Sequence, residues 1–177
     1  MIREGIQPLD LKQLQRMADA VKGESERGIV LINATILDDV LKQSIESHLV
    51  GHKDVKRLTE GFNAPIGILH SRILLSFAIG LISEDEYKQL ELIRKIRNEF
   101  AHNVEASFQS QRVVSHCHLL SQSPLFANIQ NSPAKDVFVM SAAFLILIIQ
   151  SRLPEVSRQR LYYREWSASR DAPAQSI

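Results

Sequence analysis

The chain has 177 residues, of which 45% are hydrophobic and 23% are charged, and its formal net charge is +1. This length suits one domain with a sizeable core and is short for two domains. A net charge so close to zero excludes a bulk attraction to nucleic acid, so any such binding must come from a local patch. The one cysteine, Cys117, excludes an internal disulfide and suits a reducing compartment.

The sequence predicts a cytoplasmic protein that does not cross a membrane. Its start, Met1–Gly5, lacks the basic-then-apolar order of a signal peptide. The most apolar run, Val137–Ile149, has about 13 residues, whereas a membrane-spanning helix needs roughly 20. We therefore interpret this run as a buried helix.

Apolar residues recur at spacings of three and four along the whole chain, which predicts helices rather than strands. A first helix is predicted over 9–21, ending at Gly23. Ser25 is the predicted N-cap of a second helix, which runs to about Val50. The side chains predicted to be buried in this second helix are Ile29, Ile32, Ile36, Leu37, Val40, Leu41, Ile45 and Leu49.

The third predicted helix spans 66–82 and follows Pro65, which suits a first helical position. This helix is apolar nearly all round, which predicts a place in the centre of the core. Arg72 is its one charged residue, and a buried arginine needs a partner.

Ser83 and Glu86 have the spacing of a capping box, which predicts that a fourth helix starts there and continues to His102. A further helix is predicted over 107–123, stopped by Pro124.

The last predicted helix begins near Pro133 and carries the apolar run to Ile149. Together these elements predict an all-α fold, a single-domain helical bundle of about six to seven helices over residues 1–153.

A tail over 154–177 follows the bundle, and its last residues, 172–177, are expected to be disordered. The tail interleaves arginines with aromatic residues, namely Arg158, Arg160, Tyr162, Tyr163, Arg164, Trp166 and Arg170. Such a segment could stack on single-stranded nucleic acid. More often it is a helix whose aromatic side chains lie on the domain while its arginines remain in water.

Polar groups of four chemical kinds stand together in Arg97–His102 (Arg-Asn-Glu-Phe-Ala-His), at the end of the fourth predicted helix. Cations near a helix C-terminus complement its dipole, which explains Arg94 and Arg97 without a site. Asn98 and His102, four apart on one face, are not explained in this way. Arg97 and His102 are about 140° apart around a regular helix, so they act together only at a helix end or across a two-fold axis. An imidazole and a guanidinium that meet could cleave a phosphodiester without a metal.

A DNA-reading helix-turn-helix is not supported by the third and fourth predicted helices. The second helix of that motif enters the major groove by its N-terminal residues. Here those residues are Glu84, Asp85 and Glu86, which phosphates would repel. We therefore interpret the pair as a helical hairpin in a core.

Two groups of residues could be considered as ligands of a metal ion. His48 and His52 stand four positions apart, and His116, Cys117 and His118 are consecutive. Gly51 interrupts the first pair, adjacent positions in the second point to different helix faces, and no carboxylate motif accompanies either group. A Gly-rich phosphate loop is also missing from the sequence. The sequence therefore predicts neither a metal nor a cofactor.

Several short segments occur in an order that is specific, although no single segment is. They are Glu24-Ser25-Glu26-Arg27-Gly28, Leu37-Asp38-Asp39 with Leu41, Phe62-Asn63-Ala64-Pro65-Ile66, Ser71-Arg72-Ile73, Ala78-Ile79-Gly80-Leu81-Ile82 and Ile93 to His102. This set, over roughly residues 24–120, resembles the mannitol operon repressor family (MtlR-like proteins). One departure is Leu69-His70, where an aromatic residue is expected.

The resemblance implies an all-helical, homodimeric bacterial protein linked to transcriptional repression. The family is regarded as lacking a standard DNA-binding motif, which agrees with the acidic helix start at Glu84. Repression through a protein partner is therefore the expectation, and direct DNA binding stays open.

A second and narrower resemblance concerns Arg97–His102, which is similar to the Arg-x4-His motif of HEPN domains. These helical proteins include dimeric, metal-independent ribonucleases and toxins. The resemblance implies that Arg97 and His102 are catalytic residues acting on RNA across a dimer. The supporting residues would be Asn98, Glu99, Arg72 and Arg94.

Two functions follow as expectations. The first is a non-enzymatic regulator on an HEPN-like bundle, in which Arg97 and Glu99 pair with neighbours such as Arg72 or Asp38 and His102 caps its helix. The second is the HEPN-type ribonuclease.

Overall fold

The structure is a computed structural model that describes residues 15, 19, 21–126 and 129–164. Its helices are α1 (Glu26–His48), α2 (Lys56–Thr59), α3 (Leu69–Ala78), α4 (Glu84–His102), α5 (Gln111–Ser121), α6 (Ala134–Ser151) and α7 (Leu153–Arg158), with short 3-10 turns at Lys53–Val55 and Pro124–Phe126. No residue in the described ranges forms a strand, so the predicted all-α fold is confirmed. The helix predicted over 9–21 lies for the most part outside the described residues.

Helix α1 is central to the bundle and contacts α3, α4, α6 and α7. Ser25 caps its start as predicted, since the Ser25 hydroxyl accepts a hydrogen bond from the amide of Gly28 at 3.1 Å. Its buried side chains are Ile29, Val30, Asn33, Ala34, Leu37, Val40, Leu41, Ser44 and Ile45. Ile32 and Ile36, which the sequence predicts to be buried, lie at the edge of this stripe and are half-buried.

Helix α6 carries the long apolar run and packs against α1 and α5. Among the described residues, one segment, Ala134–Arg158, is long and apolar enough to cross a membrane. The core helix of a soluble protein passes the same test, and α6 contributes Phe138, Leu145 and Ile146 to the fully buried core. Eight of the 13 residues in the run 137–149 are buried in the bundle, which agrees with the prediction of a buried helix.

Helix α3 is shorter than the sequence predicts. It begins at Leu69 rather than just after Pro65. The preceding loop is held out of the helix because the carbonyl of Ile66 accepts a hydrogen bond from Arg72 Nε at 3.0 Å. The helix ends before Gly80, whose φ of 75° is a left-handed conformation that glycine adopts without strain.

The predicted place of α3 in the centre of the core is also wrong. The helix packs against α1 and α4 and buries only Arg72, Ile73 and Ser76. Leu74 and Phe77 are 48% and 38% exposed. The apolar residues on the outer side of α3 are therefore surface residues.

Helix α4 begins and ends where the sequence predicts. Ser83 Oγ accepts a hydrogen bond from the Glu86 amide at 3.3 Å, and Glu86 Oε2 accepts one from the Ser83 amide at 2.8 Å, which completes the capping box. Glu86 is 1% exposed and also pairs with Arg152, whose Nη1 donates to Oε2 at 2.8 Å. Burial disfavours the charged carboxyl, but the hydrogen bonds from Arg152 and Ser83 outweigh burial and hold the pKa of Glu86 below its usual value.

The predicted tail begins with a short helix. Pro154 stands in the first turn of α7, and α7 buries Val156 while packing against α1. The tail residues Trp166 and Arg170, and the disorder predicted for 172–177, lie outside the described residues.

The residues after α7 close the C-terminal end of α1. The Arg160 guanidinium donates hydrogen bonds to the carbonyls of Glu46 and Ser47, each at 3.2 Å. The amide of Leu161 donates to the carbonyl of His48 at 2.7 Å. These bonds satisfy carbonyls that have no partner within the helix itself.

Candidate functional site

Helix α4 sets the position of every polar residue in the stretch Arg97–His102. Its buried apolar face consists of Leu90, Ile93, Ile96 and Phe100. Because this face is fixed in the core, the polar positions between its members flank it and line two surface grooves.

The two grooves differ in size and in lining. The α1–α3–α4 groove has a volume of about 350 Å³, and its lining includes Asp38, Ile68, His70, Arg94, Arg97 and Asn98. The α4–α5 groove has a volume of about 770 Å³, and its lining includes Lys95, Asn98, Glu99, His102, Arg112 and His116. Arg97 and His102 therefore line different grooves of one chain, while Asn98 borders both. This separation is the one expected for two residues five positions apart on a regular helix.

The Arg97 side chain makes few contacts with polar groups. Its Nη1 donates a hydrogen bond to Asn98 Oδ1 at 3.1 Å, and the guanidinium forms no ion pair within the described residues. The expected ion pair between Arg97 and Asp38 is not formed: Asp38 Oδ2 lies 2.5 Å from Nη1 of Arg72, and Arg97 acts on the pKa of Asp38 only through its charge.

Glu99 likewise has other partners than expected. Its Oε1 accepts a hydrogen bond from Asn103 Nδ2 at 3.1 Å, and its Oε2 lies 3.7 Å from Nη1 of Arg112. Through these two contacts, Glu99 joins the end of α4 to the start of α5. It forms no ion pair with Arg72 and no hydrogen bond with Asp38.

The end of α4 is capped by Arg27, not by His102 as expected. Arg27, in the first turn of α1, donates hydrogen bonds to the carbonyls of Phe100, Asn103 (2.9 Å) and Val104 (3.0 Å). A cation at the last carbonyls of a helix complements its dipole. His102 is exposed, and its ring makes no hydrogen bond with the described part of the chain. Its imidazole is therefore available to the α4–α5 groove.

The neighbouring Glu26 holds the loop that follows α4. Its Oε2 accepts a hydrogen bond from the amide of Phe108 at 2.9 Å. Glu26 and Arg27 bind partners 73 to 82 positions away in the sequence. No short-range pattern reveals such contacts, which is why sequence reasoning missed both residues.

Arg72 is a structural residue, with 6% of its surface exposed. Besides the ion pair with Asp38, its Nε donates to the carbonyl of Ile66 and its Nη2 to the carbonyl of Thr59, each at 3.0 Å. The prediction that a buried Arg72 needs a partner is confirmed. Burial raises the pKa of Asp38, and the Arg72 charge offsets part of this effect.

Arg94 forms a two-point contact with Glu91 on the same helix. Its Nε and Nη2 donate to the two carboxylate oxygens at 2.9 and 2.8 Å. The hydrogen bonds from Arg94 hold the pKa of Glu91 below its usual range. His70 on α3 adds a contact of 3.2 Å between its Nδ1 and Glu91 Oε1.

The sequence prediction left four residues of the α4–α5 groove out of the site, namely Lys95 and Asn103 at the end of α4 and Arg112 and His116 on α5. Arg112 and His116 stand four positions apart on α5 and so share a helix face, which is the signal that could have joined them. Burial lowers the pKa of His116, and the positive charge of Lys95 lowers it further. The Nδ1 atom of His116 is buried and has no hydrogen-bond partner.

The described residues hold no group of three or more His, Cys, Asp and Glu side chains that could bind a metal ion. Cys117 is buried, and burial raises the pKa of its thiol to about 12. A thiol in that state is a poor nucleophile and a poor metal ligand at neutral pH. The chemistry that the grooves offer is that of guanidinium, ammonium, amide and imidazole groups.

Comparison with known proteins gives no relative: no protein-family model, no curated protein and no solved structure matches this chain.

Proposed function

We propose that the protein is a cytoplasmic bacterial transcriptional regulator of the repressor type, which forms a homodimer and acts through protein contacts. Two things support the proposal. The segments over roughly 24–120 resemble the mannitol operon repressor family, and an apolar surface on α3 is left uncovered by the described chain. Glu84 and Asp85 at the exposed start of α4 argue against that helix entering a DNA groove.

The uncovered surface, here called the α3 face, consists of the apolar residues Leu74, Phe77 and Ala78, with the polar His70 at its edge. These positions are spaced by three and four, so they lie on one side of the helix. Phe77 stacks on Tyr87 of α4 with ring centroids 4.7 Å apart, which extends the face onto the second helix. Contiguous exposed apolar surface of this kind typically marks a protein contact.

The charges beside the α3 face favour a second copy of the chain as its occupant. Contacts between His70 and Glu91 and between Phe77 and Tyr87 show that α3 and α4 run antiparallel. Helix α4 is acidic where it starts and basic where it ends. A two-fold axis through the α3 face and perpendicular to α4 would set the acidic end of one α4 against the basic end of the other, an arrangement in which the charges of the two copies are complementary.

The oligomeric state tests this interface. We expect sedimentation to give a dimer for the wild type and a monomer for Leu74→Asp, because the substitution places a charge in the apolar contact. Leu119→Asp on α5 is the matched control, since Leu119 is 49% exposed and Leu74 is 48% exposed. The control should stay dimeric. A monomeric wild type, or a dimeric Leu74→Asp, would overturn the interface.

The regulatory role has a separate test. Deleting the gene in the source bacterium should raise a defined set of transcripts. Wild type and Leu119→Asp should restore repression, whereas Leu74→Asp should not. If no transcript rises on deletion, the protein is not a repressor.

A second candidate function is a metal-independent ribonuclease in which Arg97 and His102 act on RNA. The observation in its favour is that the His102 imidazole is free of structural bonds and shares the α4–α5 groove with two cations. Because Arg97 lines the other groove, joint action of the two residues requires a second copy of the chain.

Incubation of RNA with the purified protein in the presence of a chelator tests the ribonuclease. This candidate expects products with cyclic phosphate ends, lost in both Arg97→Ala and His102→Ala and retained in Arg57→Ala, whose side chain is 83% exposed on α2. Cleavage that persists in both site variants would eliminate it, and so would intact RNA after prolonged incubation with the wild type.

A further inference from the structure

The α4–α5 groove is large enough for a small molecule, and its lining is polar and charged. Its volume of about 770 Å³ falls within the range of about 300–1,000 Å³ that is typical of ligand pockets. Lys95, Asn98 and His102 line it from α4, and Arg112 and His116 line it from α5. All of these side chains are able to donate hydrogen bonds.

The charge in the groove is positive, and its donors are largely unused. Lys95 and Arg112 are the basic side chains of the groove, while Glu99 is the one carboxylate among the lining residues. The separation of 3.7 Å between Arg112 Nη1 and Glu99 Oε2 is longer than a hydrogen bond. The Arg112 side chain is 80% exposed, and Lys95 forms no ion pair in the described part of the chain.

Two imidazoles add hydrogen-bonding groups to this lining. The ring of His102 is unbonded, and His116 has a buried Nδ1 without a partner. Desolvation and the nearby Lys95 work against the charged form of His116, whereas the charge of Glu99 favours it. A bound anion would reverse that balance by placing a negative charge beside the ring.

We propose that the α4–α5 groove binds the phosphate group of a small phosphorylated molecule, held by Lys95 and Arg112 with His102 and His116 completing the donor set. Arginine and lysine are the side chains that bind phosphate most strongly, and the fork of a guanidinium matches two phosphate oxygens. The proposal supplies a ligand class for the protein, and it does not depend on the role in transcription.

A small phosphate fits the observations better than a nucleic acid or a metal ion. A polynucleotide needs positive charge along a track, whereas the net charge of this chain is only +1. A metal ion would be repelled by the two cations of the groove, and no metal-binding group is present among the described residues. The groove therefore suits the phosphate group of a small molecule.

Calorimetric titration of the full chain tests the proposal directly. Pyrophosphate and ADP are the probes, with sulfate and a short RNA as comparison ligands. We expect saturable binding of pyrophosphate or ADP that is tighter than that of either comparison ligand. Binding of RNA alone, or binding of sulfate as tight as that of pyrophosphate, would overturn the proposal, as would no binding of either probe.

Paired charge removals separate the groove from the charge of the whole protein. Lys95→Gln with Arg112→Gln should weaken binding by at least about tenfold, because two charge-assisted contacts are lost. Lys88→Gln with Arg57→Gln removes the same charge from exposed positions outside the groove and should leave the affinity unchanged. Equal weakening in the two double variants would contradict a specific site. Circular dichroism checks that both remain folded.

The dependence of affinity on pH tests the part that His116 plays. The groups that face this ring are Lys95, Glu99, His102 and Arg112. Uptake of a proton by His116 on binding should tighten ADP binding more between pH 8 and pH 6 in the wild type than in His116→Gln. The titration of ADP itself affects both proteins equally. The difference between their pH profiles therefore reports the contribution of His116. Identical pH profiles would remove His116 from the site.

Discussion

Several charged residues of this protein act on the backbone of distant segments. Arg27 bonds the carbonyls that end α4, and Arg72 bonds carbonyls on either side of the loop before α3. Arg160 bonds the carbonyls that end α1. Each of these arginines replaces water at groups that a helix or loop leaves unsatisfied. Their removal is therefore expected to cost stability rather than activity.

Arg72→Met tests this role where burial is greatest. The substitution removes the ion pair with Asp38 and two hydrogen bonds to carbonyls while keeping an apolar stem of similar length. We expect the free energy of unfolding to fall by about 3 kcal/mol, because a carboxylate and buried carbonyls lose their partner. Urea denaturation measures the change. Arg57→Met, at an 83% exposed side chain, should leave the midpoint where it is.

Glu86→Gln should lower stability in a manner that depends on pH. At pH 7 the expected loss is about 2 kcal/mol, since the charged acceptor of Arg152 and of the Ser83 amide is replaced by a neutral one. The folded-state pKa of Glu86 lies below the value of 4.5 for a free glutamate, so its contribution is present above that value and is lost as the pH falls through the folded pKa.

Denaturation curves at pH 7 and at pH 3 measure this difference. The gap between wild type and Glu86→Gln should be widest at pH 7 and should narrow as the pH falls below 4.5. Glu84→Gln, two positions earlier on the same turn, is the control and should shift the midpoint much less, because the ion pair of Glu84 with Lys88 is exposed to solvent. A gap that stays constant with pH would show that Glu86 is neutral in the folded protein.

At the scale of the element, the helix boundaries that a local cap encodes were predictable. Ser25, Ser83 and Pro133 precede α1, α4 and α6 as the sequence predicts. The start of α3 was not predictable from a local cap, because Arg72 bonds the carbonyls of Thr59 and Ile66 in the segment that precedes the helix. Periodicity also misled at α3, since an all-round apolar pattern does not distinguish a central helix from one with an apolar outer face.

Ser83→Ala tests the best-defined of these local signals. Loss of the N-cap hydroxyl should destabilise the protein by about 1 kcal/mol in urea denaturation. Combined with Glu86→Gln, it should cost less than the sum of the two single changes, because both residues belong to one capping box. Strict additivity would mean that the two hydrogen bonds act independently.

The candidate site was predictable only as far as one helix determines it. The separation of Arg97 from His102 follows from helical geometry and from α4 remaining regular up to its last residue. The α4–α5 groove requires the packing of a second helix, so Arg112 and His116 had no signal in the chain around α4. The capping of α4 by Arg27 is likewise a product of tertiary structure.

At the scale of the whole molecule, α1 holds the bundle together. It contacts α3, α4, α6 and α7, and Val30, Leu37, Leu41 and Ile45 in its stripe of buried side chains are fully excluded from solvent. We expect the amides of Val30, Leu37 and Leu41 to exchange with solvent deuterium only through global unfolding. The amides of Lys53–Val55, a turn with no buried side chain, should exchange much faster. Rapid exchange of amides in the middle of α1 would show that this helix is not the most stable element of the bundle.

The bond between Leu161 and His48 means that the chain from residue 49 to residue 160 leaves the end of α1 and returns to it. The exposed Gly51 lies just after this meeting point. A polypeptide cut at Gly51 would lose one covalent link while keeping the contacts that α1 makes with the rest of the bundle. The two pieces, when expressed separately, are therefore expected to behave as complementing fragments that reassemble the fold.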